Sequence, residues 1–170
     1  EVIAIDPEVE AALWRFVLDL DLVTTCEPQV QPVDSQLPWR LADHRAYQVV
    51  AVSDFLWTRL LDVPAALSAR RYAIEGSIVF DVSDEFRPDG AACGRFRLDG
   101  GPDGATCVAT DNSVEADVTL GVAALGAAYL GGTRFSTLAA AGRVSGDRDA
   151  LERADRLFAS SPAPFCNTGF

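Results

Sequence analysis

Hydrophobic positions change their period several times along this chain, and each change marks an element. Val9, Ala12, Leu13, Phe16, Val17 and Leu20 recur at helical spacing, the apolar stripe of an amphipathic helix. Asp6 in front of Pro7, then Glu8 and Glu10, supply an N-cap, a proline suited to the first turn and negative charge at the positive end of the dipole. Residues 1–5 and 22–27, the second with β-branched positions, read as strands on either side of it. Strand, helix and strand of this length suit the closing part of an α/β domain. Residues 28–38 hold three prolines and few large apolar side chains, so they form a loop. A short helix near 39–43 and a strand over 46–52 follow.

The remainder reads as α+β. Residues 63–72 form a helix that tolerates Pro64 in its first turn. Ile78, Phe80 and Val82 alternate with Ser77, Val79, Asp81 and Ser83, a half-buried strand. Phe96 and Leu98 between arginines make another, Asp99 to Gly104 is a hairpin loop, and 105–110 returns. A further strand covers 117–120. Two Ala- and Gly-rich helices follow, 121–131 and 136–144, and Asp147 caps a last helix over 148–160. That helix turns Leu151, Ala154, Leu157 and Phe158 inward and pairs Glu152 with Arg156 outside. The fold class is α+β: the end of an α/β domain over 1–46, then an antiparallel sheet covered by helices over 47–170.

At 170 residues and 49% hydrophobic, the chain can bury a core. A net charge of −11 repels nucleic acid and anionic membrane and favours cationic ligands. All fourteen basic residues are arginine. Cys26, Cys93, Cys107 and Cys166 have no C-x-x-C spacing and His44 is the sole histidine, so no metal site is expected. With one imidazole in a polar stretch, no Ser/His/Asp or Cys/His arrangement is available either. Gly100–Gly101 and Gly131–Gly132 serve turns; neither fits a strand-to-helix phosphate loop. No apolar run reaches membrane-spanning length. Opening without Met and inside a strand, the chain reads as part of something longer.

The last eleven residues, SSPAPFCNTGF, carry the strongest signal. Chain termini are normally polar and frayed. This one follows a charged helix, uses two prolines to stop it, and runs through Phe165 to an aromatic final residue. Residues 56–67 (LWTRLLDVPAAL), 123–132 (AALGAAYLGG) and 136–144 (STLAAAGRV), with that aromatic terminus, resemble in order and spacing the C-terminal part of the Eis (enhanced intracellular survival) family of GNAT N-acetyltransferases. The resemblance covers essentially the whole chain. It implies a GNAT-like end over 1–46, a sterol carrier protein-like domain over 47–170, and acetylation of amines on aminoglycosides or other polyamines by acetyl-CoA.

The resemblance further implies that acetyl-CoA is bound by the missing N-terminal domain, since this chain has no pyrophosphate loop; alone it should acetylate nothing. It implies a cytoplasmic homohexamer with a cationic acceptor. The general base would be the C-terminal carboxylate of Phe170, with Asp54, Phe55 and Phe165 lining the acceptor side. A carboxylate beside an aromatic ring is a sensible cation site. Ala51 stands where a relative carries Trp, and Gly169 where an acidic residue can precede the final Phe, so acceptor preference does not carry over. The alternative is a lipid- or sterol-binding carrier whose tail fills its own cavity.

Overall fold

The computed structural model describes residues 2–168. It falls into two compact units: one runs through Phe55 and takes in the chain again from Phe165, and the other is Leu56–Pro164. In the first, α1 (Pro7–Leu18) starts as its sequence dictates, with Asp6 Oδ1 accepting from the N–H groups of Glu8 at 2.7 Å and Val9 at 3.1 Å. Trp14 is the buried residue of this helix, its indole donating to Glu10. Of the expected stripe, Val9, Leu13, Phe16 and Leu20 are exposed and Val17 is half-buried. α2 (Leu37–Arg40) begins earlier than 39 because Pro38 fits the first turn rather than the loop. Arg40 donates to the Pro7 carbonyl at 3.2 Å and so ties α2 to the start of α1.

The three strands expected in this unit do not form among the described residues: 2–5, 22–27 and 46–52 carry no ladder. A strand exists only through hydrogen bonds to a neighbour, and no described segment of the unit offers one. At 22–27 the path is also broken at its root, since Leu22 adopts φ 64°, a left-handed conformation that ends extended backbone.

The second unit is built on one five-stranded sheet in the order β3-β2-β1-β4-β5. Its strands are β1 (Gly76–Ser83), β2 (Gly94–Gly101), β3 (Gly104–Ala109), β4 (Val118–Gly121) and β5 (Val144–Gly146). The sheet is antiparallel except at β1–β4, which run parallel. Register sorts the faces. Phe80 lies between Phe96 and Val118, Ile78 opposite Leu98, Leu98 opposite Cys107, and Leu120 opposite Val144. All of these are buried in one core. On the other face Asp81 lies opposite Arg95, and the two are paired at 2.5 Å, a cross-strand ion pair on the polar side.

Four helices close the apolar face: α3 (Val63–Ser68), α4 (Val122–Tyr129), α5 (Phe135–Ala140) and α6 (Arg148–Phe158). Phe80, Phe135 and Phe158 meet in the centre with ring centroids 5.0–5.9 Å apart. Each ring fully buried contributes about 1.5–3 kcal/mol, so this cluster is a large part of what holds the helices down. α3 stops at Ser68 rather than near 72 because Tyr72 folds back, its hydroxyl donating to the Leu67 carbonyl at 2.7 Å. The stretch at 136–144 divides into α5 and the strand β5. α6 starts at the Asp147 cap, which accepts from Ala150 N–H at 2.7 Å. On its outer face Glu152 pairs with Arg148 at 2.8 Å, while Arg156 donates to the Glu152 main-chain carbonyl instead of its carboxylate.

Candidate functional site

The tail begins where α6 ends. Ala159 turns the chain to an extended conformation, and Ser160 Oγ donates to the Pro162 carbonyl at 2.9 Å. Beneath this turn lies Arg70. Its guanidinium donates to the carbonyls of Tyr129 and Phe158, the last residues of α4 and α6, the second at 3.2 Å. A cation at two helix C-termini meets the negative ends of both dipoles. The same group sits 4.5 Å from the Tyr72 ring and 4.7 Å from the Phe158 ring. Burial holds Arg70 below its ordinary pKa, against the opposing pull of the Tyr72 and Tyr129 phenols, yet a guanidinium stays charged in any protein.

Gly131, just past α4, has φ 86°, which favours glycine. A Cβ there would lie 2.4 Å from the Phe158 carbonyl oxygen and 2.9 Å from Ser160 Cβ. One at Gly132 would lie 3.4 Å from Pro164. The Gly131–Gly132 turn is therefore the surface that residues 158–164 cross. A pocket of about 140 Å³ opens beside it, lined by Arg134, Asp155, Ala159 and Ser160 among others.

Of the residues singled out from the sequence, Asp54, Phe55 and Phe165 all fall in the first unit. Asp54 is exposed, and among the described residues no group pairs with its carboxylate. Phe55 is 52% exposed and Phe165 44%. Phe170 lies outside the described residues. Sequence reading passed over a second feature, the pair of Arg59 and Asp84 at 2.5 Å. Asp84 is the buried charged side chain of the described protein. Burial opposes its charge, but the bond from Arg59 and those from the N–H groups of Arg87 and Phe86 hold its carboxyl below the usual range. An Asp ending a predicted strand, followed by Pro and Gly at 88 and 90, was the available sign of such a turn.

The glycine turns do not suit a pyrophosphate. Gly100, Gly101 and Gly104 sit at the β2–β3 hairpin among Glu75, Asp99 and Asp103, where negative charge repels a phosphate. Gly131 is already filled by the tail.

Two family models match the chain: an acetyltransferase (GNAT) domain over residues 1–60 and a sterol carrier protein domain over residues 63–167. Among curated relatives, an uncharacterized N-acetyltransferase of Streptomyces coelicolor is 44% identical over 100% of this chain and 40% of its own length. The N-acetyltransferase Eis of Mycobacterium tuberculosis is 40% identical over 94% of this chain and 38% of its own length. The crystal structure of Eis1 from Mycobacterium abscessus superposes with a TM-score of 0.87 at 36% identity, covering 100% of this chain and 42% of that one. The chain thus spans about two fifths of the length of the relatives it matches.

Proposed function

Since this chain belongs to the Eis family of GNAT N-acetyltransferases and carries its sterol carrier protein domain, we propose that it is the C-terminal part of an acetyl-CoA-dependent N-acetyltransferase for amines of aminoglycosides or other polyamines. The observation that carries this reading is the course of the tail. From Phe165 the chain groups with the first unit, which the acetyltransferase model matches, while the sterol carrier match runs on to residue 167. A carrier whose tail plugs its own cavity would keep that segment in the second unit.

In this reading acetyl-CoA supplies the acyl group and is held by the part of the enzyme this chain does not span. The residues here act on the acceptor. An amine is protonated at neutral pH and cannot attack a thioester until a base within hydrogen-bond reach removes the proton. The carboxylate of Phe170 takes that proton from the acceptor nitrogen. Its pKa, low for a free carboxyl terminus, rises when apolar surroundings strip its water. Asp54 holds a second ammonium group of the acceptor, with the rings of Phe55 and Phe165 as cation–π partners. A cytoplasmic homohexamer is the assembly in which we place it.

The test is made in the whole protein. Adding a few residues after Phe170, or deleting it, displaces the carboxylate and should lower kcat by about 10²–10⁴-fold with the fold and assembly unchanged. An extended variant with wild-type kcat would refute the role of the tail.

A further inference from the structure

We propose that Arg70 and Gly131 form a clamp that fixes where the C-terminal tail leaves the sterol carrier unit, which makes both of them positioning residues for the terminal carboxylate. The inference rests on the reading that this carboxylate is the base.

The clamp has two parts, both at the root of the tail. Arg70 joins the carbonyl that ends α4 to the carbonyl that ends α6, with its guanidinium over the rings of both Tyr72 and Phe158. A guanidinium fork can serve two carbonyls at once in a fixed plane; an ammonium, a compact point charge on a flexible stem, cannot hold that geometry. Gly131 supplies the space: its missing Cβ is where the Phe158 carbonyl oxygen and Ser160 come to rest. The tail then continues over the same turn, with Pro164 against Gly132.

Neither residue lies near the chain terminus in sequence, and neither carries chemistry for the acceptor. Their leverage is geometric. The tail emerges from this crossing, so a displacement at Ser160 is passed to the residues that follow it. A base works only within about 2.6–3.2 Å of the atom that carries the proton, or through one water, and a misplacement of about 1 Å costs about 10²-fold. The contact at Gly131 leaves no room for a methyl group without a shift of that order.

The experiment is a pair of double-mutant cycles in the full-length enzyme, with acetyl-CoA and neomycin as the probe acceptor. Gly131→Ala and Arg70→Lys are each made in the wild type and in a variant lacking Phe170. With the tail intact, each lowers kcat by about tenfold or more and leaves the KM for acetyl-CoA at its wild-type value. Without Phe170, each changes the residual kcat by no more than about twofold, the scatter of uncoupled sites. An equal loss in both backgrounds would mean that the residues only stabilise the domain, and an unchanged kcat in the intact enzyme would mean that the root of the tail does not matter; either overturns the clamp. If deleting Phe170 itself leaves kcat unchanged, the base reading fails, and the clamp with it, by a result distinct from both. Should Gly131→Ala not fold, the Arg70→Lys cycle decides the question.

Discussion

Replacing a glycine inside a helix by alanine ordinarily stabilises a protein by about 0.5–1 kcal/mol, because glycine loses more backbone freedom on folding. Gly126, buried in the middle of α4, should do the opposite. Its absent Cβ would lie 2.5 Å from the carbonyl oxygen of Thr58, roughly 1 Å inside the 3.4 Å at which ordinary contact begins. The obstacle is backbone, which cannot rotate aside as a side-chain tip would. Either α4 or the segment through Thr58 must retreat, and the retreat stretches the bond from Thr58 Oγ1 to the Gly126 carbonyl, now 2.8 Å. Overpacking of this kind costs about 1–3 kcal/mol, and the weakened hydrogen bond about 0.5–1.5 kcal/mol more. After the propensity gain is subtracted, Gly126→Ala should destabilise by about 1–3.5 kcal/mol. Urea unfolding followed by circular dichroism reads this directly. With a slope of about 1–3 kcal/mol per molar urea, the midpoint should fall by about 1 M at an unchanged slope. Thr58→Ala supplies the control: combined with Gly126→Ala it should cost less than the two singles added, because the same bond is lost only once. A midpoint that stays put or rises would refute the close-approach argument and return Gly126 to ordinary helix propensity.

Two further outcomes are expected. In the whole enzyme, Asp54→Ala should raise the acceptor KM by about 3–10-fold, a charge-assisted contact discounted for exposure, and leave the KM for acetyl-CoA alone; an unchanged acceptor KM across several polyamines would make Asp54 structural. Among the thiols, Cys107 is buried with its pKa pushed up to about 11, by desolvation first and then by Asp99 and Asp62, whereas Cys26 is exposed. Thiolate is the reactive form and must be accessible, so at about pH 8.5 iodoacetamide should label the exposed Cys26 much faster than the buried, protonated Cys107 in the folded chain. Equal rates would contradict the burial of Cys107.

How much of this could be read beforehand depended on the range over which each cause acts. Helix starts are local, and Asp6 and Asp147 cap the helices expected of them. The alternation through Ile78, Phe80 and Val82 is local too, and it gives β1. Strands 2–5, 22–27 and 46–52 failed because their pattern describes only half of a strand; the other half is a neighbour. β5 is three residues long, too short to show a period against the Ala-rich helix before it. Glu152 had arginines at both i−4 and i+4; the Glu-before-Arg order favours Arg156, but the fold chose Arg148. The clamp was the least legible feature. Arg70 looks like an exposed helix end, but its partners are 59 and 88 residues away, and nothing local encodes contacts of that separation. The Gly131–Gly132 turn was visible as a turn, while its reason, the passage of Phe158 and Ser160, was not.

The packing of the second unit bears on why a domain of the sterol carrier family would sit on an acetyltransferase at all. A site for a sterol or an acyl chain needs about 300–1,000 Å³. In this unit the space between sheet and helices is taken by Phe80, Phe135 and Phe158, each no more than 2% exposed and in mutual ring contact, and Tyr72 closes onto Phe158 at 5.1 Å. Opening even 300 Å³ there would cost about 7 kcal/mol at about 24 cal/mol per Å³ of cavity, which is comparable to the whole stability of a typical domain, about 5–15 kcal/mol. A ligand would have to supply that energy before binding with any net affinity. The same rigid aromatic centre is what a launching platform requires. Phe158 is at once a core ring and the last residue of α6, so the packing that seals the interior also fixes the carbonyl that Arg70 grips and the point from which the tail departs. The filled core and the root of the tail thus share one residue, Phe158, which is the fixed starting point that the proposed delivery of the C-terminus requires.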